Sequence, residues 1–127
     1  MCMSQSHKFA RPARAAGMIT IQSTSNNTML TLADEQGRTL AWTSAGALGF
    51  RNSRKSTTYG AQAAGEHIAS RAHSLGMRRV HVRVKGLGYG KESSVRALAH
   101  AGIEIVSITD ITPTAHNGCR RPRQRRT

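Results

Sequence analysis

The last eight residues, RRPRQRRT, hold five arginines (Arg120, Arg121, Arg123, Arg125 and Arg126) and no acid. A guanidinium stays charged at any physiological pH, and burying one requires a charge partner and full hydrogen bonding. The segment also lacks the apolar residues that would give a strand or helix a buried face. Its chemistry is that of a cationic ribbon, either solvated or laid along a polyanion. A second cluster, Arg51, Arg54 and Lys55, lies in the stretch Ala45 to Thr58 among serines, threonines, Gly46 and Gly49, which reads as a flexible basic loop. A helix is expected directly after it. Three cations and a helix N-terminus can together hold phosphates; the plain alternative is a solvated surface loop.

The run GLGYGK, Gly86 to Lys91, leads from an expected strand into an expected helix. Glycines there let the backbone approach a ligand and expose its N–H groups. A nucleoside triphosphate site does not fit. The P-loop spacing puts Lys85 where its first glycine belongs, and Glu92 stands where Ser or Thr would bind magnesium. The dinucleotide fingerprint fails at Lys91, which occupies its third glycine. A tight turn that brings Lys85 and Lys91 near phosphates is the better reading. His116 and Cys119 have the spacing of half a zinc site, whose other half would have to come from Cys2 and His7; an unliganded pair in a basic tail is the simpler account. Asn117-Gly118 is prone to succinimide formation, because glycine leaves the following backbone nitrogen unhindered, and it also suits a turn. The six acids are scattered, and the six histidines lie among arginines rather than beside carboxylates. Nothing in that pattern supports catalysis.

These groups need a scaffold. Alternation of apolar residues predicts strands over Met18–Ser23, Thr28–Ala33 and Arg38–Ser44, joined by Ser25-Asn26-Asn27 and Asp34-Glu35-Gln36-Gly37 turns into an antiparallel meander. Ser56, Thr57 or Thr58 caps a helix that runs to about Leu75 and stops at Gly76. Its apolar stripe, Ala61, Ala64, Ile68, Ala72 and Leu75, is mostly alanine, so the helix should lie close to the sheet. Val80, Val82 and Val84 mark a strand over Arg79–Lys85. A short helix over Glu92–Ala101, with Val95 and Leu98 inward, and a last strand over Ile103–Thr109 complete a parallel crossover. The expectation is a single α/β domain with a mixed five-stranded sheet and two helices, spanning residues 18–112. A basic arm (1–17) and an arginine-rich tail (113–127) flank it.

The chain has 127 residues and a formal net charge of +13. Such an imbalance says little about fold and much about partners: nucleic acid or an anionic surface. Aromatic residues are 4% of the sequence, too few for a stacking platform that reads single strands, so phosphate contact and shape should dominate. Cys2 and Cys119 are no disulfide framework and fit a reducing compartment. No apolar run approaches membrane-spanning length. The first 17 residues, with Lys8, Arg11 and Arg14 and no acid, have the composition of an organelle transit peptide or of a basic arm; the arm is the expectation.

Three stretches together carry a family resemblance: GFRNSRKST (Gly49–Thr57), VKGLGYGKES (Val84–Ser93) and TDITPTAHNGCRRPRQRR (Thr109–Arg126). From about residue 17 onward the chain resembles the bacterial-type small-subunit ribosomal protein eleven. The resemblance implies a three-layer α/β fold with a ribonuclease-H-like motif and no nuclease activity. It implies a place on the platform of the small ribosomal subunit, bridging helices of the small-subunit ribosomal RNA near the messenger RNA exit cleft. The neighbours it implies are small-subunit proteins six, seven and eighteen, with twenty-one in bacteria. It calls for no cofactor, no membrane and no homo-oligomer. Carried onto matching positions, RNA contact falls to Arg51, Asn52, Ser53, Arg54, Lys55 and Ser56 in the basic loop. In the glycine loop it falls to Lys85, Gly86, Gly88 and Lys91. In the tail it falls to His116, Asn117, Gly118, Arg120, Arg121, Arg123, Arg125 and Arg126. The family's isoaspartate would map to Asn117. The common glycine loop resembles KGPGPGRE, against Leu87, Tyr89 and Lys91 here, and the common tail resembles HNGCRPPKKRR, against Arg121, Arg123 and Gln124. The KGLGYGKESSV form is closer to mitochondrial versions, which favours the mitochondrial matrix over a bacterial cytoplasm or a plastid.

Overall fold

A computed structural model describes residues 16–127. Cys2 and His7, weighed as half of a zinc site, and Lys8, Arg11 and Arg14 of the expected arm lie outside the described residues. The elements run β1 (Ala16–Ser23), β2 (Thr28–Ala33), β3 (Thr39–Ser44), a 3-10 turn (Asn52–Ser56), α1 (Thr58–Ser74), β4 (Arg79–Lys85), α2 (Gly90–His100) and β5 (Glu104–Asp110). β1 begins two residues before the expected boundary of the arm, and Gly17 is already buried in it. The basic loop is more ordered than expected, since a 3-10 turn occupies its second half.

The sheet order is β3-β2-β1-β4-β5. β1, β2 and β3 form the expected antiparallel meander, and β4 runs parallel to both β1 and β5. Alternation fixes the buried face. Ile19 and Ile21 pair with Leu32 and Leu30 on one side and with Val82 and Val84 on the other, and all six join one core with Ala64, Ile68, Ala69, Ala72 and Leu98. Both helices pack on this face. Among the described residues the domain therefore has two layers, not the three that the resemblance implies.

Small residues set how close the helices come. A Cβ on Gly65 of α1 would stand 2.8 Å from the Ala97 Cβ of α2. The Ser94 hydroxyl of α2 donates to the Ala61 carbonyl at 3.2 Å. One device ends both helices. Gly76 (φ +78°) follows α1 and Gly102 (φ +88°) follows α2. The next residue donates back into the last turn: Met77 N–H to the Ala72 carbonyl at 3.0 Å, and Ile103 N–H to the Leu98 carbonyl at 3.3 Å. Met77 and Ile103 are then delivered into the core at the foot of β4 and β5. Leu75, expected in the apolar stripe, sits at the C-cap and is 37% exposed. The glycine reversal gives its place in the core to Met77.

Candidate nucleic-acid interface

β1, β3, β4 and β5 all point the same way, so their C-terminal ends share one end of the sheet. The basic loop leaves from β3, the glycine loop from β4 and the tail from β5. All three cationic segments therefore emerge together, around the turn between β1 and β2. Hydrogen bonds record the convergence. Ala45 N–H donates to the Thr28 carbonyl at 3.1 Å, Gly88 N–H to the Ser23 carbonyl at 3.2 Å, and Ile111 N–H to the Val84 carbonyl at 2.8 Å. Gly86 N–H donates to Thr112 Oγ1 at 3.2 Å, tying the glycine loop to the root of the tail.

At the opposite end of the sheet, two acids are tied to arginines. Asp34 holds Arg38 and Glu104 holds Arg79, each at 3.1 Å. The polarity of the molecule thus follows from topology, with cations gathered where four strands end.

In the basic loop, Arg51, Asn52, Ser53 and Arg54 are exposed, while Lys55 and Ser56 are half-buried. Asn52 takes a positive φ of 56°, which turns the chain into the 3-10 segment. Thr57 is the N-cap of α1. Its hydroxyl accepts from Gly60 N–H at 3.2 Å and donates to the Arg54 carbonyl at 2.7 Å, so capping the helix also fixes the loop. A hollow of about 840 Å³ lies beside it, lined by Phe50, Arg51, Arg54 and Tyr59 among others. Phe50 and Tyr59 meet edge to face at 5.6 Å. The sequence reading missed this pair, although two aromatics flanking a basic run were the available signal.

The glycine loop departs from expectation. The N–H groups of its three glycines are bonded within the chain: Gly86 to Thr112, Gly88 to Ser23, and Gly90 to Ser23 Oγ at 3.2 Å. Gly88 and Gly90 are buried. Added Cβ atoms would collide with the Ser23 carbonyl at Gly86, with Ser23 and Thr24 at Gly88, and with Thr28 at Gly90. These glycines bring the backbone against its own β1–β2 turn, and Gly88 is buried there. Lys85 and Lys91, half-buried, flank the loop, while Leu87 and Tyr89 project from it.

The tail is irregular and exposed from Pro113 onward. His116, Asn117, Gly118, Cys119 and all five arginines stand in solvent. Asn117 has a φ of 51°, a left-handed turn conformation that asparagine tolerates. The root of the tail is fastened at Asp110, whose carboxylate accepts from Thr112 Oγ1 at 2.6 Å and Thr112 N–H at 3.0 Å. The Thr112 side-chain and backbone bonds lower the Asp110 pKa below its ordinary value; burial opposes weakly and Lys91 adds to the lowering. Because the folded pKa lies below the unfolded one, this contribution to stability is complete above about pH 4. It is lost as pH falls through the folded value. Thr112→Val should raise the Asp110 titration midpoint toward the ordinary carboxylate range, followed by carboxyl-carbon NMR. An unmoved midpoint would reject the hydrogen-bond cause.

The sequence model of the family described as ribosomal protein S11 matches residues 17–126, which takes in the sheet, the basic loop, the glycine loop and the tail. The chain is 54% identical over 110 residues to the small ribosomal subunit protein uS11 of Solibacter usitatus, covering 87% of this chain and 82% of that protein. It is 50% identical over 121 residues to the small ribosomal subunit protein uS11m of Prototheca wickerhamii, covering 95% of this chain and 93% of that protein. The chain belongs to the ribosomal protein S11 family, whose members are structural proteins of the ribosome and not enzymes.

Proposed function

We propose that this chain is a structural constituent of the small ribosomal subunit that binds small-subunit ribosomal RNA through the cationic end of its sheet. The observation that carries the reading is topological: the ends of the co-directional strands β3, β4 and β5 bring Arg51, Arg54 and Lys55, then Lys85 and Lys91, then the arginine tail to one side. Phosphates are the groups that such a surface neutralises best, and several separate cationic segments can clamp separate RNA helices. Arg51, Ser53, Arg54, Lys55 and Ser56 take one set of phosphates. Lys85 and Lys91 take a second, with Gly86 holding the turn between them. His116, Asn117 and Arg120 to Arg126 extend along a third.

The finer placement follows the family resemblance: the platform, near the messenger RNA exit cleft, with small-subunit proteins six, seven and eighteen as neighbours. Residues 1–17 serve as a basic arm, with β1 taking over at its end. The mitochondrial matrix is the compartment favoured by the KGLGYGKESSV stretch; the match to uS11m of Prototheca wickerhamii supports it, while the match to uS11 of Solibacter usitatus suits a bacterial cytoplasm.

The test is sedimentation of an organelle lysate through a sucrose gradient, with detection of this chain before and after a high-salt wash. Co-migration with the small subunit that survives the wash is expected, and a chain left at the top of the gradient would overturn the reading. Arg54→Ala with Lys55→Ala should lower occupancy in the small-subunit peak severalfold, because two phosphate contacts at ~0.2 M salt are worth about a factor of ten. Unchanged occupancy would remove the basic loop from the interface.

A further inference from the structure

The face of the sheet turned away from the helices is uncovered among the described residues. Alternation sends Arg79, His81, Arg83 and Lys85 of β4 onto it, since Val80, Val82 and Val84 face the core. The His81 ring nitrogen lies 2.8 Å from Ser107 Oγ of β5, and Arg79 is paired with Glu104. Arg83 and Lys85 have no such carboxylate across from them: their register partners are Thr20 and Gln22 on β1, and for Arg83 also Thr109 on β5. On the far side of the same face stands Trp42 of β3, opposite Thr31 of β2 and 62% exposed. Met29 lies diagonal to it and is 44% exposed. A large indole left in water on an open sheet calls for a planar or apolar partner. A row of cations three strands away calls for an anion.

We infer that this open face is a second RNA-contact surface, on which a single-stranded run of RNA stacks a base on Trp42 and lays its backbone across Arg83 and Lys85. The inference rests on the ribosomal RNA reading above and adds a face that, Lys85 apart, the family's basic segments do not include. The separation suits such a ligand. Three strand spacings are about 14 Å, a span that a few nucleotides of an extended single strand bridge. One indole is enough for one base, because base–aromatic stacking needs only the ring face. Charge decides between RNA and a protein partner. The face carries three basic side chains or imidazoles beyond the Arg79–Glu104 pair and no further acid. Lys85 joins this face to the cationic end, so one strand could run from the tip onto the sheet.

The test uses the full chain with Trp42 replaced by p-benzoylphenylalanine, assembled into small subunits, recovered from the gradient and irradiated. A covalent adduct between position 42 and RNA is expected. An adduct with a neighbouring protein, an adduct with the chain's own N-terminal residues, or no adduct overturns the inference. Recovery in the small-subunit fraction is scored first. Absence there counts against subunit membership; presence without an RNA adduct counts against the sheet face alone. Arg83→Glu in the same background should lower the RNA adduct about fivefold, since it removes one charge-assisted contact and adds a repulsion. An unchanged yield would remove the β4 cations from the surface. With Trp42 in place, its emission is a second readout, because it is the one tryptophan in the chain. Oligouridylate should quench it in step with binding followed by anisotropy of labelled RNA, and binding without quenching overturns the inference.

Discussion

Gly86→Ala should destabilise the domain by about 3 kcal/mol or more, summing ~1–2 for a side chain at positive φ and ~1–3 for forced overpacking. The backbone at Gly86 has a φ of +101°, and the new Cβ would be driven into the Ser23 carbonyl oxygen. That oxygen cannot withdraw cheaply. It accepts from Gly88 N–H at 3.2 Å, and Ser23 ends the central strand β1. Thermal unfolding followed by circular dichroism should show a midpoint lowered by more than ~10 °C, or no cooperative transition. Leu87→Ala, at a side chain 88% exposed, is the control and should stay within about 0.5 kcal/mol of the parent. The contrast tests what the glycines are for. If they existed to let RNA approach the backbone, Gly86→Ala would melt within ~2 °C of the parent and lose RNA affinity instead, and the packing account would be wrong.

Why that distinction was hidden in the sequence is a matter of range. A strand announces itself by alternation among near neighbours, so Val80, Val82 and Val84 and the pair Ile19 and Ile21 were legible. Helix stops are also local, and Gly76 and Gly102 stand where the apolar period ends. What a glycine makes room for is not local. The group that crowds Gly88 is Ser23, and the hydrogen bond from Gly90 to Ser23 spans 67 positions. Glycine beside lysine suggests a backbone able to approach a phosphate, and only the fold shows that the N–H groups of Gly86, Gly88 and Gly90 are bonded internally. The same limit misplaced Leu75. Helical period counts it as the next apolar position, whereas the reversal at Gly76 turns Met77 inward. Polar alternation along β4 marked Arg79, His81, Arg83 and Lys85 as one face, but only the placement of both helices on the other side shows that face to be uncovered among the described residues. Convergence of the three basic segments depends on the strand order β3-β2-β1-β4-β5, which no spacing in the chain encodes.

Replacing Arg120, Arg121, Arg123, Arg125 and Arg126 by glutamine should flatten the salt dependence of RNA binding by about 3.5 to 4.5 decades of affinity per decade of salt, at ~0.7 per contact for single strands and ~0.9 for duplex. At ~0.2 M salt this corresponds to a loss of about 300- to 1,400-fold in affinity. The tail is suited to act as a pure charge carrier: its arginines are all exposed, and it has no regular structure from Pro113 onward. Folding of the domain should be untouched, because the fastening at Asp110 and Thr112 lies upstream of every replaced residue. The same five positions changed to lysine separate charge from geometry. Lysine keeps the charge and so should keep the salt slope, while losing the planar fork that grips a phosphate with two parallel bonds. A slope restored by lysine with affinity only partly restored would assign the tail both roles. A slope that stays at its parent value in the glutamine variant would mean that the five arginines contact no phosphate, and the cationic end would then have to bind through the basic loop, Lys85 and Lys91 alone.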